Sequence, residues 1–125
     1  MRILIVEDDP GVSQTLSFVV ESFGHSPFVV TDVEQATEAL GPTKPDVILL
    51  DLLLEGTIST PFIDVARQMM VDAPPRIIIL SAMNKAENVA AEHHTEFLAK
   101  PFTLEDLEDT LNGKIKRPES KDPGP

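Results

Sequence analysis

Five short apolar runs, separated by segments of helical periodicity, constrain this chain more than any other feature. They are Ile3-Leu4-Ile5-Val6, Ser26 to Val30, Val47-Ile48-Leu49-Leu50, Arg76-Ile77-Ile78-Ile79-Leu80 and Glu96-Phe97-Leu98-Ala99. Runs this short and this continuously apolar fit strands covered on both faces. The β-branched run 77–79 is the strongest of them. Pro27 lacks the N–H that a ladder needs, so the second run suits a sheet edge or a strand start.

The intervening segments read as helices. Val12, Leu16, Val19, Val20 and Phe23 share one helical face, with Asp9 as N-cap, Pro10 at the first position and Gly24 as the stop. Asp32 caps a second helix bearing Val33, Ala36 and Leu40, and Gly41-Pro42 ends it. Thr60-Pro61 opens a third, with Phe62, Ile63, Ala66, Met69 and Met70 inward and Pro74-Pro75 beyond its end. The fourth, near Ala86, Val89 and Ala90, is weakly apolar and is expected to be short or irregular, with residues 83–95 mobile. Thr103 to Asp106 spells a capping box for a fifth, which carries Leu104, Leu107 and Leu111, with Ile115 as its furthest candidate and Gly113 as a possible cap. Five strands alternating with five helices predict an α/β fold with right-handed crossovers and a parallel sheet. Ligand chemistry in such a sheet sits outside the carboxyl ends of the strands.

The 125 residues suit one domain, placed at 1–113, followed by a flexible polar tail at 114–125 that holds three prolines. With no Cys, thiol catalysis, disulfides and zinc–thiolate sites are excluded. Residues 1–113 carry six basic and 19 acidic side chains, while the last twelve carry four and two. A domain this acidic is expected to repel nucleic-acid phosphates, so no direct nucleic-acid binding is expected. No apolar run reaches membrane-span length, and the N-terminus turns acidic at Glu7, too early for a signal peptide. A cytoplasmic protein without membrane contact is the resulting expectation.

The strand ends carry the chemistry. The first ends in Glu7-Asp8-Asp9, the third in Asp51, the fourth in Ser81 and the fifth in Lys100. Each residue alone is more often a cap, a solvated loop residue or a surface lysine. Together at one edge they form a cleft of carboxylates, one hydroxyl and one ammonium. Clustered carboxylates repel unless a cation joins them, and hard oxygen ligands without His or Cys favour Mg²⁺. A carboxylate can also attack phosphorus to form an aspartyl phosphate. Mg²⁺ and Lys100 would supply positive charge, and Ser81 a donor. His93-His94 reads as a surface pair, since no partner ligands stand at helical spacing.

The chain resembles the receiver domain of two-component response regulators. The matching segments are Ile3–Asp9, Val47–Leu52, Ile78–Ala82 and Phe97–Phe102, in this order and spacing, within residues 1–113. The resemblance implies a flavodoxin-like three-layer fold with sheet order 2-1-3-4-5. It implies that Asp51 is the phosphoacceptor and that Asp8 and Asp51 ligate Mg²⁺, with Glu7 acting mainly through water. The backbone carbonyl of Leu53 would be a further ligand. Lys100 would pair with the phosphoryl group, Ser81 and Phe97 would form the switch, and a cis peptide would join Lys100 to Pro101. A histidine kinase or phosphotransfer protein would donate the phosphoryl group, and a downstream protein target would read the result. The domain would not be an enzyme beyond assisting its own phosphorylation and dephosphorylation.

The chain departs from that pattern in four places. Glu55 stands where a proline is expected, and Ile58-Ser59 replaces an Asp-Gly turn. Ser81 and Lys100 are closer by about one helical turn, and His93-His94 replaces Gly-Ala. Three other functions would each need something different of this chain. A flavin- or nucleotide-binding domain would need a Gly-rich loop where Glu7-Asp8-Asp9-Pro10 stands. A Mg²⁺-dependent phosphatase would need an acid where Leu53 stands. A scaffold that is never phosphorylated would not need the intact set of Glu7, Asp8, Asp51, Ser81 and Lys100.

Overall fold

The computed structural model describes residues 1–113, with side chains at all of these except 83–85. The strands are β1 (Arg2–Val6), β2 (Ser26–Val30), β3 (Val47–Asp51), β4 (Leu53–Leu54), β5 (Thr57–Ile58), β6 (Arg76–Ala82) and β7 (Glu96–Lys100). The helices are α1 (Pro10–Ser22), α2 (Val33–Thr43), α3 (Pro61–Met69), α4 (Met83–His93) and α5 (Leu104–Leu111). Five strands form one parallel sheet of order β2-β1-β3-β6-β7. Counting only those five strands, the order is 2-1-3-4-5, with β2 at an edge, as Pro27 suggested. The expected tail at 114–125, and Ile115 with it, lies outside the described residues.

Strand alternation sorts the core into two layers. Leu4, Val6, Ile48, Leu50, Ile77 and Ile79 pack with Ala36, Leu40, Phe62, Ile63 and Ala66 of α2 and α3. Ile3, Ile5, Val47, Leu49, Ile78 and Leu80 pack with Leu16, Val19, Val20, Leu107 and Leu111 of α1 and α5. Local caps hold the helix starts. Asp9 accepts from Gly11 N at 2.8 Å, Asp32 accepts from Gln35 N at 2.7 Å, and Thr103 and Asp106 form a reciprocal box. Each cap satisfies amides that have no partner in the first turn and contributes about 1 kcal/mol.

Three local expectations are corrected. Helix α2 continues through Gly41-Pro42 to Thr43 and closes on Lys44, whose φ is 45°. Pro42 sits in the last turn, where its missing N–H removes one bond and leaves the rest intact. Helix α4 is a regular α-helix of 11 residues rather than a short or irregular one. Ala86 and Ala90 are its buried contacts with Phe97, and Arg67 donates to the carbonyls of His93 and His94 at 2.7 and 2.9 Å. β6 runs directly into α4, with Ala82 and Met83 adjacent. Met69, expected inward, is exposed.

Candidate functional site

The parallel sheet delivers its carboxyl-end residues to one edge. Glu7 continues β1, and its amide donates to the Val30 carbonyl at 3.1 Å. Its side chain is only 2 % exposed. Glu7 Oε2 accepts from Asp9 N at 3.1 Å, while the buried Oε1 has no hydrogen-bond partner among the described residues. Asp51 ends β3 and is largely buried. Glu7, Asp8 and Asp51 each offer an oxygen within 4.8 Å of the other two. Lys100, at the end of β7, places Nζ 3.5 Å from Asp51 Oδ2 and 3.7 Å from Glu7 Oε1. The Lys100–Pro101 peptide is cis.

Electrostatics follow from this crowding. Burial pushes the Glu7 carboxyl up to about 7, against the downward pull of the Asp9 amide; the neighbouring Asp51 adds to the rise and Lys100 opposes it least. The Asp8 carboxyl is held below its ordinary value, chiefly by an amide hydrogen bond from Glu55. A buried carboxylate oxygen without a donor, in an all-oxygen set, fits a hard divalent cation such as Mg²⁺.

The remaining predicted residues are less tightly gathered. Ser81 is buried near the end of β6, one step beyond Leu80, the register partner of Asp51. Phe97, which the resemblance makes part of the switch, lies buried against Ala86 and Ala90. Leu53 has its amide 3.4 Å from Asp51 Oδ1 and its side chain exposed.

The segment 52–60 holds what the sequence reading missed. β4 and β5 form a hairpin with Leu53 opposite Ile58 and Leu54 opposite Thr57. Its two-residue turn is Glu55-Gly56, with φ of 51° and 78°. Positive φ at both central positions marks the mirror-image turns that suit hairpins. The tip amide of Glu55 donates to Asp8 Oδ2 at 2.9 Å. The buried Ser59 hydroxyl donates to the Asp51 carbonyl at 2.6 Å. An Xaa-Gly pair between Leu53-Leu54 and Thr57-Ile58 was the available sequence signal.

The response regulator receiver domain model matches residues 3–112. The chain belongs to that family. It is 31% identical over 123 residues to the DNA-binding response regulator MtrA of Mycolicibacterium smegmatis, covering 96% of this chain and 53% of that protein. It is 28% identical over 119 residues to the phosphate regulon transcriptional regulatory protein PhoB of Escherichia coli, covering 93% and 52%. The chain thus spans about half the length of these curated relatives. Among solved structures it superposes on the receiver domain of a sensor histidine kinase from Pseudomonas aeruginosa. The TM-score is 0.77 at 25% identity, covering 89% of this chain and 93% of that one. That structure has a magnesium ion coordinated in its active-site cleft.

This receiver domain therefore has the flavodoxin-like sheet that the resemblance implied, and it is a signalling module of two-component systems. One expectation is overturned. The acidic balance was read as excluding direct nucleic-acid binding, yet MtrA is named a DNA-binding response regulator. The charge of a receiver describes that domain's own surface and carries no information about the other half of such a regulator. Among the described residues no helix is long and apolar enough to cross a membrane.

Proposed function

We propose that this receiver is a phosphorylation-controlled switch in which Asp51 takes a phosphoryl group from a histidine kinase or phosphotransfer protein. The observation that carries this reading is Asp51 itself, a largely buried carboxylate 3.5 Å from an ammonium and within 4.8 Å of two further carboxylates. An Asp51 oxygen attacks phosphorus, the O–P bond forms, and the N–P bond to the donor imidazole breaks. The electron pair of the broken bond stays on the imidazole. Lys100 neutralises charge on the transferred oxygens, and the Ser81 hydroxyl donates to one of them. Glu7, Asp8, Asp51 and the Leu53 carbonyl would hold Mg²⁺, which supplies positive charge toward the phosphoryl oxygens when bound.

The phosphoryl group adds about −1.5 to −2 in charge. Ser81 responds first, and the β7–α4 contact at Phe97 carries the change to a downstream target. The domain assists its own phosphorylation and hydrolysis and has no other turnover. Intact-mass measurement with a small phosphodonor tests the acceptor. The wild type should gain one phosphoryl mass and Asp51→Asn none. Equal incorporation in the variant removes Asp51 from this role.

A further inference from the structure

Glu55 stands where the family resemblance leads one to expect proline, and the difference has a chemical consequence. Proline has no N–H and is held near φ −65°. Glu55 has both an amide to give and a φ of 51°. That amide reaches Asp8, 47 positions away, at 2.9 Å. We infer that the β4–β5 hairpin is a latch whose tip amide orients the Asp8 carboxylate for the divalent cation. This inference rests on the reading of Glu7, Asp8 and Asp51 as the Mg²⁺ site.

The hairpin is built to hold its tip still. Leu54 is buried in the core layer beside α2 and α3, anchoring the stem. Ser59 ties the far end of the hairpin to β3, with its hydroxyl on the Asp51 carbonyl at 2.6 Å and its amide on the Leu52 carbonyl at 2.8 Å. The same short segment thus touches Asp51 at its base and Asp8 at its tip, and fixes their separation. A carboxylate has two oxygens and about four lone-pair sites. An amide on Oδ2 therefore leaves Asp8 free to ligate. Donors behind a metal ligand hold it in one orientation, and removing them commonly weakens metal binding 10–100-fold. Glu55 is in this sense a positioning residue that acts through its backbone.

Titration with Mg²⁺ alone, followed by backbone amide NMR, tests the latch without relying on activity. In the wild type, millimolar Mg²⁺ should shift the Glu7, Asp8 and Asp51 amides, and the Glu55 amide should stay protected from exchange at saturation. Glu55→Pro should bind Mg²⁺ about tenfold more weakly. If that variant does not fold, Gly56→Val decides. A Cβ at 56 meets no atom within 4 Å, so the substitution acts through the φ of 78° and displaces the tip. It should weaken binding several-fold. Affinity within twofold of wild type, or tighter, overturns the latch, as does loss of Glu55 protection when Mg²⁺ binds. Glu55→Ala keeps the amide, so a loss as large as that in Glu55→Pro would assign the effect to the carboxylate and also overturn the latch. A wild type with no Mg²⁺-dependent shifts sinks both the latch and the proposed metal site. A wild type that binds while the variants bind equally sinks the latch alone.

Discussion

Arg76, at the start of β6, and Lys100, at the end of β7, are both cations set against carboxylates at opposite ends of the sheet. Arg76 meets one acid completely. Its Nε and Nη2 donate to Glu96 at 2.9 and 2.7 Å, and its remaining donors reach the Leu111 and Thr110 carbonyls at 3.1 and 2.6 Å. Glu96 in turn raises the guanidinium pKa above its ordinary value. Lys100 stands 3.5 and 3.7 Å from two of three clustered carboxylates, and one buried Glu7 oxygen there accepts no hydrogen bond among the described residues. The first arrangement closes β6, β7 and the end of α5 into one unit. The second leaves charge unbalanced, as a site built for a further cation does.

The largest expected effect breaks the closed end. Arg76→Met leaves Glu96 without its bidentate partner and takes one donor from the Leu111 carbonyl, while the Thr110 carbonyl keeps the Gly113 amide at 3.1 Å. Part of the group is exposed, so the loss should be about 2–3 kcal/mol of unfolding free energy. Denaturant titration at neutral pH measures it, and a loss below about 0.5 kcal/mol would show the clamp to be an ordinary surface pair.

The open end should respond in the opposite sense. The folded protein raises the Glu7 carboxyl from its ordinary value of 4.5 to about 7. Below pH 4.5 it is protonated in both states and imposes no penalty. Between about 4.5 and 7 the unfolded chain releases this proton first, so stability in EDTA falls as pH rises. Asp8, shifted downward, works in the other direction and only below its ordinary value of 3.8. Glu7→Gln should therefore be more stable than wild type at pH 8 without metal, and that advantage should vanish near pH 4.5. Parallel pH profiles for the two proteins would refute the burial argument.

The smallest effect separates the two ends. At pH 8 and a concentration tenfold above its Kd, Mg²⁺ should stabilise the wild type by about 1.4 kcal/mol. The same increment should appear in Arg76→Met, because the two sites share no partners. It should be absent in Asp8→Ala. Thermal melts with and without Mg²⁺ read all three, and an Arg76→Met increment that differs from wild type would mean the ends are coupled.

The layers of the fold were legible because runs such as Val47–Leu50 and Arg76–Leu80 state their burial in their own composition. The caps at Asp9, Asp32 and Thr103 were legible because each bonds amides within three residues of itself. Helix α4 was misjudged because its own face is poor in large apolar groups, while its hold comes from Phe97 on β7 and Arg67 on α3. The hairpin escaped notice because strands of two residues are too short to show a period.

Which side chains share the site follows from the sequence alone. Alternating strands and helices force a parallel sheet, and a parallel sheet brings every strand's last residue to one edge. Glu7, Asp8, Asp51, Ser81 and Lys100 are named by that topology. What each carboxylate experiences there was decided by tertiary structure. Burial sets Glu7, and the tip amide of a hairpin 47 positions along the chain sets Asp8. Solvation and hydrogen bonding depend on distances of a few tenths of an ångström between segments remote in sequence, and only the packed chain supplies those distances.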